Sequence, residues 1–127
     1  FGYRIEYGGH SVVLSGDTRY SENLIKFAKG TDLLVHEVAI ASDTLKKTDP
    51  KFNILMHHTT PEQAGKVFNS VKPKLGVYSH IVTINHYPLG EIIPRTKENY
   101  VGPVVLGEDL MSFSVGDSVT MKAWDKK

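Results

Sequence analysis

The sequence contains no cysteine among its 127 residues. A disulfide framework, a thiolate zinc site, an iron–sulfur cluster and a cysteine nucleophile are therefore excluded, so any metal must be bound by His, Asp or Glu. No apolar run approaches the roughly 20 residues that cross a bilayer, and the start lacks the basic and then apolar layout of a signal peptide. These absences predict a cytoplasmic protein that does not associate with membranes.

An excess of charge of one sign is also missing, since 15 Lys and Arg face 14 Asp and Glu for a formal net charge of +1. Without a global field to concentrate polyanions, this composition disfavours a nucleic-acid partner. The 40% of hydrophobic residues is typical of a globular chain with a core. Because domains cluster at roughly 100 to 150 residues, we expect a single domain, residues 1–127.

The beginning of the chain predicts a hairpin followed by a helix. Tyr3–Tyr7 and His10–Ser15 are extended, strand-like segments on either side of Gly8-Gly9, a pair that accepts the positive φ of a tight turn. Ser21 can cap a helix that Gly30 ends.

Two buried strands and a capped helix are predicted further along. Asp32–Val38 and Lys74–Ser79 are apolar without alternation, as expected for strands covered on both faces. Thr60 can cap a helix with Pro61 in its first position, and Gln63 can return the capping hydrogen bond. Residues 39–53 predict a loop with room for a short helix, and residues 81–100 an irregular region with a helical turn near 95–99. Short strands are expected in the tail, over Val104–Leu106, Met111–Ser114 and Ser118–Ala123.

Strands that alternate with helices favour an α/β layered fold, in which sites form at the carboxyl ends of the strands. Asp17, the pair His36-Glu37 and His80 all fall at the ends of predicted strands, and His58 directly precedes the capped helix. Imidazole nitrogen and carboxylate oxygen are the ligands that divalent metals prefer, and a carboxylate such as that of Asp17 can bridge two ions.

Simpler explanations exist for each of these residues. Asp17 could be a turn residue that caps the next helix, and His80 could be a hydrogen-bonded histidine at the edge of the core. His36 and Glu37 could be a solvated loop pair, and His57 is expected to be structural or exposed. No metal role is expected for the two other histidines, His10 and His86.

Four blocks of the sequence, in the same order, resemble the metallo-β-lactamase fold superfamily. Ser15-Gly16-Asp17-Thr18 is similar to the motif whose Asp bridges two metals, and Ser79-His80 to the motif whose His binds the second ion. The blocks Asp32–Glu37 and His58–Gly65 are similar to those of the ribonuclease Z and arylsulfatase-like branch.

The resemblance implies a metal-dependent hydrolase. Asp17 and His80 would be metal ligands for two zinc ions in the complete fold, and Glu37 would orient His58 beside the leaving group. A hydroxide activated by the ions would attack an ester, a sulfate ester or a phosphodiester.

The family's His-x-His-x-Asp-His motif is absent from these 127 residues, as is a further metal-binding His that follows it. The resemblance therefore implies the C-terminal half of an αββα sandwich, with a mixed β-sheet and helices packed on one face. We expect this chain alone to be inactive and to hold few or none of the zinc ions.

The expected substrate is a small-molecule ester or sulfate. Members of the family that process transfer RNA have Ser and Arg-Tyr soon after the last His, whereas Ile81-Val82-Thr83 follows His80 here. Half a sandwich leaves a sheet face uncovered, so we expect a homodimer or pairing with the missing N-terminal half. The alternatives are a non-catalytic module that self-associates through this face and a mononuclear metal binder that uses Asp17, His58 and His80.

Overall fold

A computed structural model describes residues 1–125, so the last two residues of the expected domain lie outside the described part. The described residues form strands β1 to β7, in chain order Tyr3–Tyr7, His10–Leu14, Leu33–Ile40, Leu75–Thr83, Val104–Leu106, Ser112–Val115 and Val119–Lys122. They form helices α1 to α4, in chain order Glu22–Ala28, Phe52–His57, Pro61–Val71 and Ile92–Lys97. Two short 3-10 turns, Ile84–His86 and Leu89–Glu91, precede α4.

Five strands form one mixed sheet in the order β1-β2-β3-β4-β5. The hairpin β1–β2 is antiparallel, with Tyr7 opposite His10 at its turn, and the other neighbours in this sheet are parallel. Strands β6 and β7 form a separate antiparallel pair. The sequence prediction of a mixed α/β sheet is confirmed.

The two faces of the sheet are covered differently. Helices α1, α3 and α4 pack on one face, and the core there includes Leu34 of β3, Phe68 of α3 and Tyr78 of β4, all fully buried. The opposite face is covered in part by the β6–β7 pair. Three large side chains of β1 on that face are exposed to solvent, namely Tyr3, Ile5 and Tyr7.

The start of α3 has the predicted capping box. The Thr60 side chain accepts from the Gln63 backbone N–H at 3.4 Å, and the Gln63 side chain accepts from the Thr60 backbone N–H at 3.0 Å. Pro61 occupies the first turn, where a missing N–H costs nothing. These local bonds fix the direction in which the chain enters α3, and therefore the position of the residues just before it.

Strand β4 is longer than the sequence predicts, because it continues past His80 to Thr83. In the ladder with β3, Glu37 pairs with Ser79 and Val38 pairs with Ile81, so His80 is an extra residue in a bulge. Pairing with β3, which extends to Ile40, keeps the chain extended beyond the bulge. His80 therefore lies within β4 rather than after its end.

Helix α4 begins earlier than the predicted helical turn at residues 95–99. It spans Ile92–Lys97. Pro94 does not interrupt it, since this residue falls in the first turn, where proline is tolerated. The longest helix in the described part of the chain, α3, has 11 residues. No helix within residues 1–125 is both long enough and apolar enough to cross a membrane.

Candidate metal centre

Four side chains that the sequence singled out lie together at one edge of the main sheet. Asp17 is in the segment that follows β2, Glu37 is in β3 and His80 is in β4. His58 lies between α2 and α3, directly before the capping box. The parallel order of β2, β3 and β4 brings the first three to the same edge.

Asp17, His58 and His80 offer three donor atoms that all lie within 4.8 Å of one another. Oδ1 of Asp17 is 2.8 Å from Nε2 of His80 and 3.8 Å from Nδ1 of His58. The two imidazole rings stack, with centroids 5.6 Å apart. Two imidazoles and one carboxylate are a donor set that suits Zn²⁺ and leaves coordination positions open, so the residues present fit a divalent metal.

Glu37 lies behind His58. Its side chain is 1% exposed, and Oε2 is 3.2 Å from Nδ1 of His58. Because an ionised carboxylate can only accept, Nδ1 of His58 is the donor in this contact. Oε1 of Glu37 accepts from the Thr59 backbone N–H at 2.8 Å, so both carboxylate oxygens are engaged. This arrangement fixes the ring orientation of His58 and leaves its Nε2 available to another group.

Two opposing influences act on the Glu37 carboxyl. Burial raises its pKa above the ordinary value, while the Thr59 backbone N–H and the imidazole of His58 lower it. Burial is the larger influence, so the pKa remains raised. The carboxyl therefore takes up a proton at a higher pH than an exposed glutamate does.

His80 has a strained backbone. Its φ of 46° is in the left-handed region, which is uncommon for a residue other than glycine. The bulge causes this conformation and turns the His80 side chain, which is 55% exposed, toward Asp17. A strained residue persists only where the surrounding structure holds it in place, and such residues concentrate at functional sites.

His36 and Glu37 are not a solvated pair, although the sequence left that possibility open. His36 is fully buried and Glu37 is 2% exposed, because β3 is central in the sheet and α3 covers the face on which His36 lies. Burial lowers the pKa of His36 to about 4, although its bond to the Glu37 carbonyl acts in the opposite direction. A carbonyl only accepts, so Nδ1 of His36 donates to it at 2.7 Å, while Nε2 has no partner among the described residues.

The other histidines lie away from this cluster. His10, at the amino end of β2, is 3.5 Å from Asp32. His57, at the end of α2, and His86, in a 3-10 turn, are both exposed. Within the part of the chain that the structure describes, Asp17, His58 and His80 are the one group of three potential ligands.

Sequence reasoning missed two residues that support the site. Ser15 is buried, and its hydroxyl accepts from the Glu37 backbone N–H at 3.1 Å and donates to the Gly16 carbonyl at 2.7 Å. Thr59 is fully buried and contacts both Glu37 and the segment that carries Asp17. The sequence marks them only by position. Ser15 lies two residues before Asp17, and Thr59 directly follows His58.

Comparisons with known proteins find a matching family and several relatives. A family model described as "Beta-lactamase superfamily domain" matches residues 1–81. The chain is 30% identical over 101 residues to a ribonuclease Z of Myxococcus xanthus, and 30% identical over 117 residues to one of Methanothermobacter thermautotrophicus. These alignments cover 80% and 92% of this chain.

Solved structures share the fold. A metallo-β-lactamase fold protein of Bacillus subtilis superposes on 94% of this chain with a TM-score of 0.68 at 20% identity, and this chain covers 43% of that protein. The short form of human tRNase Z superposes on 85% of this chain with a TM-score of 0.55 at 19% identity, with 35% of that protein covered.

The chain spans about a third of the length of the two ribonucleases Z, 31% and 34% respectively. Its relatives nevertheless correct one expectation from the sequence, namely that the substrate is a small-molecule ester or sulfate and that nucleic acid is disfavoured. That expectation is wrong, because the relatives that it matches are ribonucleases. The net charge of +1 describes these 127 residues alone, so it does not describe the electrostatic field of relatives about three times as long.

Proposed function

Because this chain belongs to the β-lactamase superfamily and has the metallo-β-lactamase fold, we propose that it forms part of a metal-dependent hydrolase that cleaves phosphodiester bonds in RNA. The observation that carries the proposal is the convergence of Asp17, Glu37, His58 and His80 on one edge of the sheet. The similarity to ribonucleases Z supports RNA as the substrate.

In this proposal Asp17 and His80 are metal ligands, and the nearby His58 is reserved for proton transfer. The proposed metal is zinc, because a set of imidazole and carboxylate ligands suits this ion. When bound, zinc supplies Lewis-acid polarisation of a phosphoryl oxygen and lowers the pKa of water.

Glu37 and His58 act as a pair on the leaving group. The Glu37 carboxylate accepts from Nδ1 of His58 and so directs Nε2 of the ring away from the buried side. When the phosphodiester P–O bond breaks, the departing oxygen takes up a proton that Nε2 of a charged His58 can donate. Glu37 stabilises the charged ring and holds its tautomer during this transfer.

We further propose that residues 1–127 alone are inactive, because the His-x-His-x-Asp-His motif that supplies further metal ligands in the family does not occur among them. A cytoplasmic location stays a prediction, as does self-association of the chain through the sheet face that the β6–β7 pair covers only in part.

The experiment that tests this function uses the protein in its full translated length, purified with Zn²⁺ or Mn²⁺. We expect it to cleave an RNA with a 3′ extension and bis(p-nitrophenyl) phosphate, and to lose both activities on addition of EDTA. A protein that is folded and loaded with metal but hydrolyses p-nitrophenyl sulfate and neither phosphodiester would contradict the proposal.

Replacing Glu37 by glutamine is expected to reduce phosphodiester cleavage by about 100-fold or more, because general acid–base catalysis contributes roughly 10² to 10⁴. Glutamine fills the same space but cannot stabilise a charged His58. The effect should be on kcat, while the metal content remains unchanged. Glu22→Gln, on the exposed surface of α1, is the matched control and should keep full activity. Equal activity of Glu37→Gln and the control would remove Glu37 from the mechanism.

A further inference from the structure

The segment that carries Asp17 is held by few hydrogen bonds, although Tyr20 at its end packs against the core. Residues 16–20 form an irregular connection between β2 and α1, and the Asp17 side chain is 64% exposed. Apart from the ion pairs of Asp17 itself, one hydrogen bond among the described residues joins this segment to a part of the chain distant in sequence. In that bond the Thr59 hydroxyl donates to the Thr18 carbonyl at 2.7 Å.

Thr59 connects three segments of the site at once. Its backbone N–H donates to the Glu37 carboxylate at 2.8 Å, and its carbonyl accepts from the Ala39 N–H at 2.9 Å. Its hydroxyl reaches the segment of Asp17, and its neighbour His58 is one of the three potential ligands. The residue is fully buried, so water does not compete for these bonds.

The position of Thr59 is itself fixed from both sides. The capping box of α3 begins at the next residue, Thr60, and holds the backbone there. On the other side, β3 anchors the Thr59 backbone through Ala39 and Glu37. A hydroxyl on so rigid a backbone can determine where an irregular connection lies.

We propose that Thr59 is a positioning residue that holds the Asp17 segment at the correct distance from His58 and His80. It touches no substrate and donates nothing to the metal. Its hydroxyl bond to Thr18 keeps the carboxylate of Asp17 within reach of both imidazoles before an ion binds. This inference rests on the metal role that the proposed function gives to Asp17 and His80.

The test measures Co²⁺ affinity by calorimetry on the protein in its full translated length and on variants of Thr59. Thr59→Val keeps the shape and removes the hydroxyl, so it should weaken Co²⁺ binding by about 10- to 100-fold, the usual effect of losing a group that orients a ligand. Thr59→Ser keeps the hydroxyl and should remain within about 3-fold of the wild type. The control is Thr31→Val, which removes another buried hydroxyl, one that donates to the Ser11 and Leu33 carbonyls. It should lower stability without changing Co²⁺ affinity.

A measurement on the wild-type chain keeps the proposal testable if Thr59→Val does not fold. The Thr59 hydroxyl proton should exchange slowly enough to be seen by NMR, with an NOE to Thr18. A hydroxyl in fast exchange would overturn the proposal, as would equal Co²⁺ affinities of Thr59→Val and the wild type. If the full-length wild type binds no Co²⁺, the metal site of the proposed function fails, and the NMR result still decides whether the hydroxyl holds the segment.

Discussion

Replacing Asp17 by asparagine is expected to weaken binding of Zn²⁺ or Co²⁺ to the full-length protein by about 100-fold or more. Asp17 supplies the one carboxylate of the three-residue group, and its Oδ1 lies 2.8 Å from His80 and 3.8 Å from His58. Loss of a group that only orients a ligand costs roughly 10- to 100-fold in affinity, so loss of a charged ligand should cost at least as much. Calorimetric titration with each metal measures the effect.

The stability of Asp17→Asn separates a ligand from a structural turn residue. Its side chain is 64% exposed, and substitutions at such positions usually change the free energy of unfolding by no more than about 0.5 kcal/mol. We therefore expect a large loss of metal affinity with almost unchanged stability. If asparagine instead lowered stability and left affinity intact, Asp17 would be the helix-capping turn residue of the simpler explanation. Asp117→Asn, an exposed carboxylate in the β6–β7 turn, is the control.

Local signals predicted much of this fold. Gly8-Gly9 adopt positive φ at the hairpin turn, and the capping box at Thr60 and Gln63 forms as predicted. These features depend on a few neighbouring residues, so the sequence contains all the information that they need. The same holds for the placement of Asp17 directly after β2, which follows from the break at Gly16.

Features that depend on distant partners could not be read in this way. The bulge at His80 exists because β3 continues to pair with β4 beyond it, and no local residue pattern marks it. Packing of the β6–β7 pair on the open face of the sheet is likewise a long-range contact. Thr59 acquires its role only when the segment containing Thr18 folds beside it.

The burial of His36 is expected to make the stability of the fold depend on pH in the acidic range. Its side chain is fully buried against Phe68, and burial lowers its pKa to about 4 from an unfolded value near 6.5. Between these two pH values the unfolded chain binds more protons at this residue than the folded chain does. Above about pH 6.5 His36 therefore does not lower the free energy of unfolding. As the pH falls from there toward 4, His36 lowers it progressively.

The expected loss is about 1.4 kcal/mol for each unit of pKa difference, which amounts to about 3 kcal/mol between pH 7 and pH 4. His36→Leu removes the titrating ring and the hydrogen bond from Nδ1 to the Glu37 carbonyl. Loss of that bond should cost about 1 to 3 kcal/mol at every pH, because the buried carbonyl is left without this donor. The variant is therefore expected to be less stable than the wild type at pH 7 and to equal or exceed it near pH 4.

Urea unfolding of both proteins from pH 4 to pH 7.5 measures this crossover. Carboxyl groups, including Glu37, titrate in the wild type and in the variant alike, so the difference between the two free energies of unfolding isolates His36. The control His57→Leu changes an exposed histidine at the end of α2 and should leave the difference from wild type nearly constant across this range. A difference for His36→Leu that is equally constant would mean that His36 takes up a proton in the folded chain as readily as in the unfolded one. In that case its ring would have to be open to water, contrary to its position beneath α3.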